Sequence, residues 1–288
     1  MKEFFLSCGP YRIAVYESGS GETPLVLLHG GGVDSAMLSW REVMEAMPAR
    51  YTVYAMDLPG YGKSDRPEDL RGTSFYPKHI AAVECAVDRL GLGKFALAGL
   101  SMGGAIAIGC ALKNPERVAA LIPVDSWGLV SRYPMHGLTY WYVNTPLLKT
   151  SFRLMAKYRW LVRRSLETSL IGDPSKVTEA LVDDVFALCQ GPNPERPMQD
   201  YQRSSLTKRG TVPDYTGRFR ELKMPVLFIN GEKDPLVRAK DAARAARSVQ
   251  NGRLYILKGC KHWAQKERPE ETAAAMDGFL REVMVTRA

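Results

Sequence analysis

One stretch decides the fold of this chain, residues 95–103, with the sequence FALAGLSMG. Phe95–Leu100 is a short apolar run that predicts a buried strand, and Met102–Leu112, rich in Ala, Gly and Ile, predicts a helix. Gly99-Leu100-Ser101-Met102-Gly103 at their junction matches the pattern G-x-S-x-G. The two glycines allow neighbouring backbone to pass close to a sharp turn that projects the Ser101 hydroxyl above the sheet edge. We therefore interpret Ser101 as a nucleophile and not as an ordinary helix N-cap serine.

Outward from this turn, strand-like and helix-like runs alternate along the chain. The runs comprise a hairpin at Phe4–Cys8 and Tyr11–Glu17, strands at Leu25–Leu28, Thr52–Met56, Val118–Val124, Val226–Asn230 and Arg253–Leu257, and helices at His79–Leu90 and from near Pro269 past Phe279. This alternation is typical of a mostly parallel, doubly wound α/β sheet. A chain of 288 residues buries enough surface to need no disulfide or metal for stability.

A serine hydroxyl needs a base within hydrogen-bond reach before it can attack a substrate. His262 follows the last predicted strand, at its carboxyl end, where ligand and catalytic groups of open α/β sheets gather. His79 falls in a helical pattern and His136 in a later irregular segment, so both are interpreted as surface or packing residues. His29 lies in a glycine-rich loop that it is expected to hold in place by hydrogen bonds. His262 is therefore the candidate base.

The base in turn needs a carboxylate that fixes its tautomer and stabilises the imidazolium. Asp234 follows the strand Val226–Asn230, again at a carboxyl end. Asp125 ends the strand Val118–Val124 and is the rival, although a role in a turn or as a helix cap would equally explain it. We predict that Asp234 is the acid of the triad.

A tetrahedral intermediate needs at least two donors for its negatively charged oxygen. The backbone N–H of Met102, the residue after the candidate nucleophile, is expected to be one of them. The other is expected from the loop His29-Gly30-Gly31-Gly32, whose glycines let the backbone approach a substrate. We predict that Gly31 supplies it, with Gly32 as the next choice.

Between about residues 127 and 212 the alternation of strands and helices lapses. This segment predicts a helical cap, 127–212, inserted into a core formed by 1–126 and 213–288. A substrate pocket is expected between cap and core. Its predicted walls are Gly32, Leu100, Trp127, Met135, Tyr140, Trp141 and Trp263, although core packing would also explain the aromatic residues.

Within the cap, one stretch has a basic helical face and an apolar one. The two faces consist of Arg153, Lys157, Trp160 and Arg164 against Leu154, Tyr158, Leu161 and Val162. A helix at a membrane surface has this pattern. An exposed helix packed on the core has it too and is the commoner case.

Composition and charge exclude several classes of protein. The net charge of +8 could attract nucleic acid, membranes or acidic substrates, but no nucleic-acid-binding motif accompanies it, so no nucleic-acid partner is expected. No stretch approaches the ~20 apolar residues that span a bilayer, and the N-terminus lacks the features of a secretory signal. The five cysteines, odd in number and without a CxxC pair, predict free thiols in the reducing environment of the cytoplasm.

With these residues in place, the chain resembles the α/β-hydrolase superfamily over almost its whole length. The matching features, in order, are Leu27–Gly32, the turn Asp57–Ser64, the Ser101 turn, Gly231–Asp234 and His262. The resemblance implies an α/β-hydrolase fold and a working triad in the chain order Ser101, Asp234, His262. It implies neither a metal nor an organic cofactor.

The run Cys260–Gln265 and the triple glycine also resemble the branch of carbon–carbon bond hydrolases that cleave meta-cleavage products. That branch typically has Asn before its nucleophile and a cap Arg that binds a carboxylate. Here Leu100 precedes Ser101, and no single cap Arg can be assigned.

The expected function is hydrolysis of a small carboxylic ester through an acyl-enzyme. One alternative is a carbon–carbon bond hydrolase of the meta-cleavage-product type. Another is a small-molecule receptor that keeps the pocket but turns over little. The sequence leaves open whether the protein forms a homo-oligomer.

Overall fold

An eight-stranded sheet forms the centre of the computed structural model, which describes residues 1–133, 135–191 and 193–285. The strands are β1 (Lys2–Cys8), β2 (Tyr11–Gly19), β3 (Thr23–Leu28), β4 (Tyr51–Met56), β5 (Phe95–Leu100), β6 (Val118–Val124), β7 (Val226–Gly231) and β8 (Gly252–Leu257). Their order in the sheet is β1-β2-β4-β3-β5-β6-β7-β8. Strand β2 pairs antiparallel with β1 and β4, and the other neighbouring pairs are parallel.

Helices cover both faces of this sheet. They are α1 (Ala36–Ala46), α2 (Phe75–Arg89), α3 (Met102–Lys113), α4 (His136–Asn144), α5 (Pro146–Lys157), α6 (Arg159–Ser165), α7 (Glu179–Leu188), α8 (Arg196–Ser205), α9 (Ala239–Ser248), α10 (Ala264–Glu267) and α11 (Pro269–Val285). Alternate residues of β5 belong to different apolar clusters, Phe95 and Leu97 to the one with α2, α3 and α9, and Ala96 and Ala98 to the one with α1 and α11. The predicted mostly parallel, doubly wound sheet is thereby confirmed.

The predicted strands agree closely with the observed ones. Strands β5 and β6 have the predicted bounds, and β3, β4, β7 and β8 extend one or two residues beyond them. Helix α2 begins at Phe75, before the predicted start, and Pro77 lies in its first turn, where a missing N–H costs no hydrogen bond. No helix is predicted from the sequence at the positions of α1 and α9.

Helices α4–α8 lie between β6 and β7 in the chain. The expectation of a single helical face over residues 153–164 is wrong, because Tyr158 is extended (φ −123°, ψ 101°) and separates α5 from α6. The predicted cap boundaries at residues 127 and 212 stay a prediction.

Within the described part of the chain, no helix combines the length and the apolar character needed to cross a membrane.

The prediction that all five cysteines are free is wrong for two of them. Cys8, at the end of β1, forms a disulfide with Cys85 of α2. The partners lie 77 residues apart in sequence, and only the packing of α2 against β1 brings their Cα atoms to 5.7 Å. Cys110, Cys189 and Cys260 are free and buried.

Candidate active site

Ser101 occupies a strained turn between β5 and α3. Its φ of 50° and ψ of −112° lie in a region that residues other than glycine rarely adopt. Its N–H donates to the Val124 carbonyl at 2.9 Å and its carbonyl accepts from the Trp127 N–H at 3.0 Å, so the turn is tied to the end of β6. A Cβ at Gly99 or Gly103 would collide with neighbouring backbone, which explains both glycines of the motif.

His262 and Asp234 form a buried pair at the carboxyl ends of β8 and β7. His262 Nδ1 lies 2.7 Å from Asp234 Oδ2. Asp234 Oδ1 accepts from the N–H groups of Leu236 at 2.7 Å and Val237 at 3.0 Å, which fixes the carboxylate. Because an ionised carboxylate can only accept, Nδ1 carries the proton and Nε2 keeps the lone pair that a base requires.

The rival acid, Asp125, has a different set of contacts. Its Oδ1 accepts from the Gly231 N–H at 2.8 Å, which links the ends of β6 and β7. Complete burial, with the nearby Asp234 carboxylate, raises the pKa of Asp125 well above its ordinary value. The structure therefore pairs His262 with Asp234 and gives Asp125 the surroundings of a neutral carboxyl group.

One atom each of Asp125, Asp234 and His262 lies within 4.8 Å of the others, close enough to reach a common metal ion. The hydrogen bond between Asp234 and His262 already uses one nitrogen and one oxygen of this group. The expectation that the protein needs no metal stays a prediction.

The glycine-rich loop after β3 faces the same cavity as Ser101 and His262. The Gly30 N–H donates to Asp34 Oδ2 at 2.8 Å and is thereby occupied, whereas Gly31 lines the cavity. A Cβ at Gly31 would lie 2.6 Å from Cδ1 of Tyr201, so the aromatic ring packs directly on this glycine. The oxyanion donors, the N–H groups of Gly31 and Met102, stay a prediction.

His29 connects two loops, as expected from the sequence. Its Nε2 accepts from the Leu58 N–H at 3.0 Å, and its Nδ1 donates to the Gly30 carbonyl at 2.7 Å. His79 and His136 are buried packing residues, bonded to the carbonyls of Phe75 and Thr207.

A cavity of about 460 Å³ lies above Ser101. Most of its wall comes from cap residues, and the described lining contains no Lys, Arg, Asp or Glu. The cap side includes Thr139, Tyr142, Ser151, Phe152, Met155, Val162, Ser165, Leu166, Val185, Met198, Tyr201 and Gln202. The cavity is thus largely apolar, with scattered hydroxyl groups and one amide.

Two of the predicted wall residues, Trp127 and Trp263, line this cavity. Met135 and Trp141 do not, since they are 73% and 54% exposed on the outer side of the cap. Helix α4 turns Thr139 and Tyr142 inward, and its periodicity places Trp141 on a different side. Tyr140 is also outside the described lining.

Two of the predicted wall residues from the core, Leu100 and Gly32, lie behind the cavity surface. Leu100 is fully buried, and its side chain lies against Gly30. Gly32 has a φ of +87°, and a Cβ there would collide with Met198. Neither is part of the described lining, because strand alternation and the turn of the loop direct them into the protein.

Tyr201 of α8 is a site residue that sequence reasoning missed. Burial raises the pKa of its phenol, and an interaction with the Ser101 side chain opposes that rise. The sequence carries no signal for this contact, because Tyr201 is one of 13 tyrosines and lies 100 residues beyond Ser101. Only the folding of the cap over the sheet brings the two side chains together.

Comparisons with known proteins agree with this geometry. The family model described as alpha/beta hydrolase fold matches residues 23–269. The 2-hydroxy-6-oxo-6-phenylhexa-2,4-dienoate hydrolase of Comamonas testosteroni is 29% identical over 280 residues, which cover 94% of this chain and 92% of that protein. The 2-hydroxy-6-oxononadienedioate/2-hydroxy-6-oxononatrienedioate hydrolase of Burkholderia vietnamiensis is 30% identical over 279 residues, 94% of this chain and 91% of that protein.

A solved structure of a serine hydrolase involved in carbazole degradation superimposes with a TM-score of 0.81 at 25% identity. The match covers 97% of this chain and 98% of that one. The family model and the two relatives each span most of the chain, and the observed sheet is the mostly parallel, doubly wound one that the resemblance implied. The chain therefore belongs to the alpha/beta hydrolase fold family of hydrolytic enzymes.

Proposed function

We propose that the protein hydrolyses small, uncharged carboxylic esters through an acyl-enzyme formed on Ser101. The observation that carries this proposal is the cavity above Ser101, whose described lining has no Lys, Arg, Asp or Glu. Apolar walls with a few hydroxyl groups favour an uncharged substrate, because a buried ion without a partner is costly.

In the proposed reaction the same groups serve both acylation and deacylation. Nε2 of His262 takes the Ser101 proton while Oγ attacks the ester carbonyl, and Asp234 stabilises the imidazolium. The N–H groups of Gly31 and Met102 bind the oxyanion. His262 then protonates the leaving alcohol. In deacylation it takes a proton from the water that attacks the acyl carbonyl, and it returns this proton to Ser101 Oγ as the acid leaves.

The pocket argues against an acidic substrate. The two relatives are named for substrates that carry carboxylates, a dienoate in one and dienedioate or trienedioate in the other. Binding such a group inside this cavity would leave an anion without a cationic partner, a penalty of several kcal/mol. Leu100 stands where the carbon–carbon hydrolase branch has Asn, and its side chain is buried.

The second candidate function is cleavage of a carbon–carbon bond in a vinylogous diketone. It is favoured by the similarity to these relatives over more than nine-tenths of the chain and by the run Cys260–Gln265.

The two candidates are separated by assaying one enzyme preparation on two substrates. We expect turnover of p-nitrophenyl butyrate to exceed that of 2-hydroxy-6-oxo-6-phenylhexa-2,4-dienoate, measured as kcat/KM, with both abolished by Ser101→Ala. A preference for the dienoate would replace the ester proposal by the second candidate. If neither is turned over and a fluorophosphonate fails to label Ser101 by mass spectrometry, a receptor with little turnover becomes the better description.

A further inference from the structure

The outer side of helices α4–α6 exposes an unusual number of large apolar side chains. Of the 14 large apolar side chains that are exposed in the described chain, seven lie between residues 135 and 160. These seven, which we call the cap outer face, are Met135, Leu138, Trp141, Leu147, Leu154, Tyr158 and Trp160. Trp160 is 64% exposed and Leu138 56%. Single exposed apolar residues are normal, but a cluster of this kind marks an interaction surface.

The second half of this stretch is basic. Residues 149–164 contain six Lys or Arg, and residues 135–166 contain no Asp or Glu. Arg159 and Arg163 are paired with acidic residues of α7, but Lys149 and Arg153 share the single carboxylate of Glu195. The Lys157 ammonium lies 5.2 Å above the Tyr158 ring. Positive charge therefore borders the part of the cap outer face that Leu154, Tyr158 and Trp160 form.

These helices also form a wall of the cavity. Tyr142 of α4, Phe152 and Met155 of α5 and Val162 of α6 line it from the inside. One layer of helix therefore separates the cavity above Ser101 from the cap outer face.

We propose that the cap outer face docks on a bilayer that contains anionic phospholipid. The aromatic and aliphatic side chains of this face would enter the boundary between headgroups and acyl chains. The Lys and Arg residues beside it would lie near lipid phosphates. A docked cap would place the cavity near esters dissolved in the bilayer. This consequence rests on the proposed function, whereas docking itself does not. The break at Tyr158 makes the docking element a layer of short helices, not the single helix considered from the sequence.

A second copy of this chain fits the surface less well than a bilayer does. In a two-fold symmetric dimer the same patch would face itself, so Lys and Arg residues would meet Lys and Arg residues. Four of the six are paired with acidic residues outside 135–166, but Lys157 and Arg164 form no ion pair with a described residue and would face their own copies. An anionic surface has the complementary charge.

The 288-residue chain is mixed with vesicles of phosphatidylcholine alone or with 30% phosphatidylglycerol, and binding is measured by flotation. We expect binding to the anionic vesicles to be at least about tenfold tighter and to weaken between 50 and 500 mM NaCl. Equal binding to both vesicles, or none to either, would overturn the proposal. The Ser101→Ala variant is expected to bind like the parent, so the result is independent of catalysis.

The apolar part of the surface is tested with the double variant Leu154→Ser/Trp160→Ser. We expect vesicle binding to fall at least about tenfold. The matched control is Leu254→Ser/Tyr255→Ser, which removes one leucine and one aromatic residue exposed on β8. Equal losses in both variants would contradict a specific docking face.

The contribution of positive charge is tested with the double variant Lys157→Glu/Arg164→Glu. The matched control is Lys240→Glu/Arg247→Glu on α9. All four side chains are exposed. Each pair changes the net charge equally, so only the location differs. We expect at least about a tenfold loss of binding for the cap pair and less than twofold for the α9 pair.

Two further measurements separate the possible failures. Hydrolysis of water-soluble p-nitrophenyl acetate should be unchanged in all four surface variants, which also shows that they are folded. If the protein binds vesicles but hydrolyses no ester, the proposed function fails and docking stands. If sedimentation without lipid shows a dimer that the cap variants dissociate, and vesicle binding is absent, the surface is a subunit interface and docking fails.

Discussion

The carboxyl edge of the sheet and the cap wall face the same cavity but are held by different forces. At the sheet edge, Asp234 is fixed by hydrogen bonds from three partners, and the Ser101 turn is tied to β6 by its backbone. The cap wall consists largely of apolar side chains such as Phe152 and Met155. Hydrogen bonds are directional and apolar contacts are not, so the edge can define a reaction geometry while the cap defines a volume.

This difference predicts that changes at the edge alter the rate for every substrate, whereas changes in the cap alter the choice among substrates. Removal of Ser101 is the most severe test. Ser101→Ala is expected to lower kcat for any ester about 10⁶-fold, because the proposed acyl-enzyme forms on the Ser101 Oγ. The midpoint of thermal unfolding should stay within a few degrees, and a residual rate near that of the parent enzyme would refute the assignment.

The two carboxylates at the edge give the next largest effect. Asp234→Ala should lower kcat about 10⁴-fold, since His262 loses the partner that orients it. Asp125→Asn should cost less than tenfold, because burial raises the pKa of Asp125 and so favours its neutral form, and because Asn keeps the acceptor for the Gly231 N–H. Steady-state kinetics on p-nitrophenyl butyrate compares them, and the reverse order would make Asp125 the acid.

The contact between Gly31 and Tyr201 joins the two regions and is expected to have an intermediate effect. Gly31→Ala should lower kcat about 10²-fold, because its new methyl group would displace the loop from the Tyr201 ring and with it an oxyanion donor. In a Tyr201→Ala background the same change should cost less, since the colliding ring is gone. Additive losses in this double-mutant cycle would show that the collision is not the cause.

The cap wall should give the smallest and most selective effect. Phe152→Ala is expected to lower kcat/KM about tenfold for octanoate esters and to leave acetate esters nearly unchanged, because the ring contacts only a longer chain. The control is Phe186→Ala, which removes the same ring from α7 at a position outside the described lining. A uniform loss across chain lengths would mean that the cap also positions the reacting groups.

The sequence predicted the edge far better than the cap, for a physical reason. Ser101, Asp234 and His262 each follow a short apolar strand, and parallel strands necessarily bring their carboxyl ends to one edge. Met135 and Trp141 were expected in the cavity and lie outside it. Both residues belong to α4 or its N-terminal end. Which side of α4 faces inward depends on its packing against α5 and α8, and its mixed apolar and polar sequence does not specify that rotation.

By itself, the sequence determined the strands, the sharp turn at Ser101 and the candidate groups at the carboxyl edge, because periodicity and turn residues act over a few neighbouring positions. Only the tertiary structure decided that Cys8 pairs with Cys85 and that Tyr201 covers Gly31, and it placed Asp234, which the sequence favoured over Asp125, against His262. Each of these contacts joins residues that are far apart in the chain. Their distance is set by how whole elements pack, which no local pattern encodes.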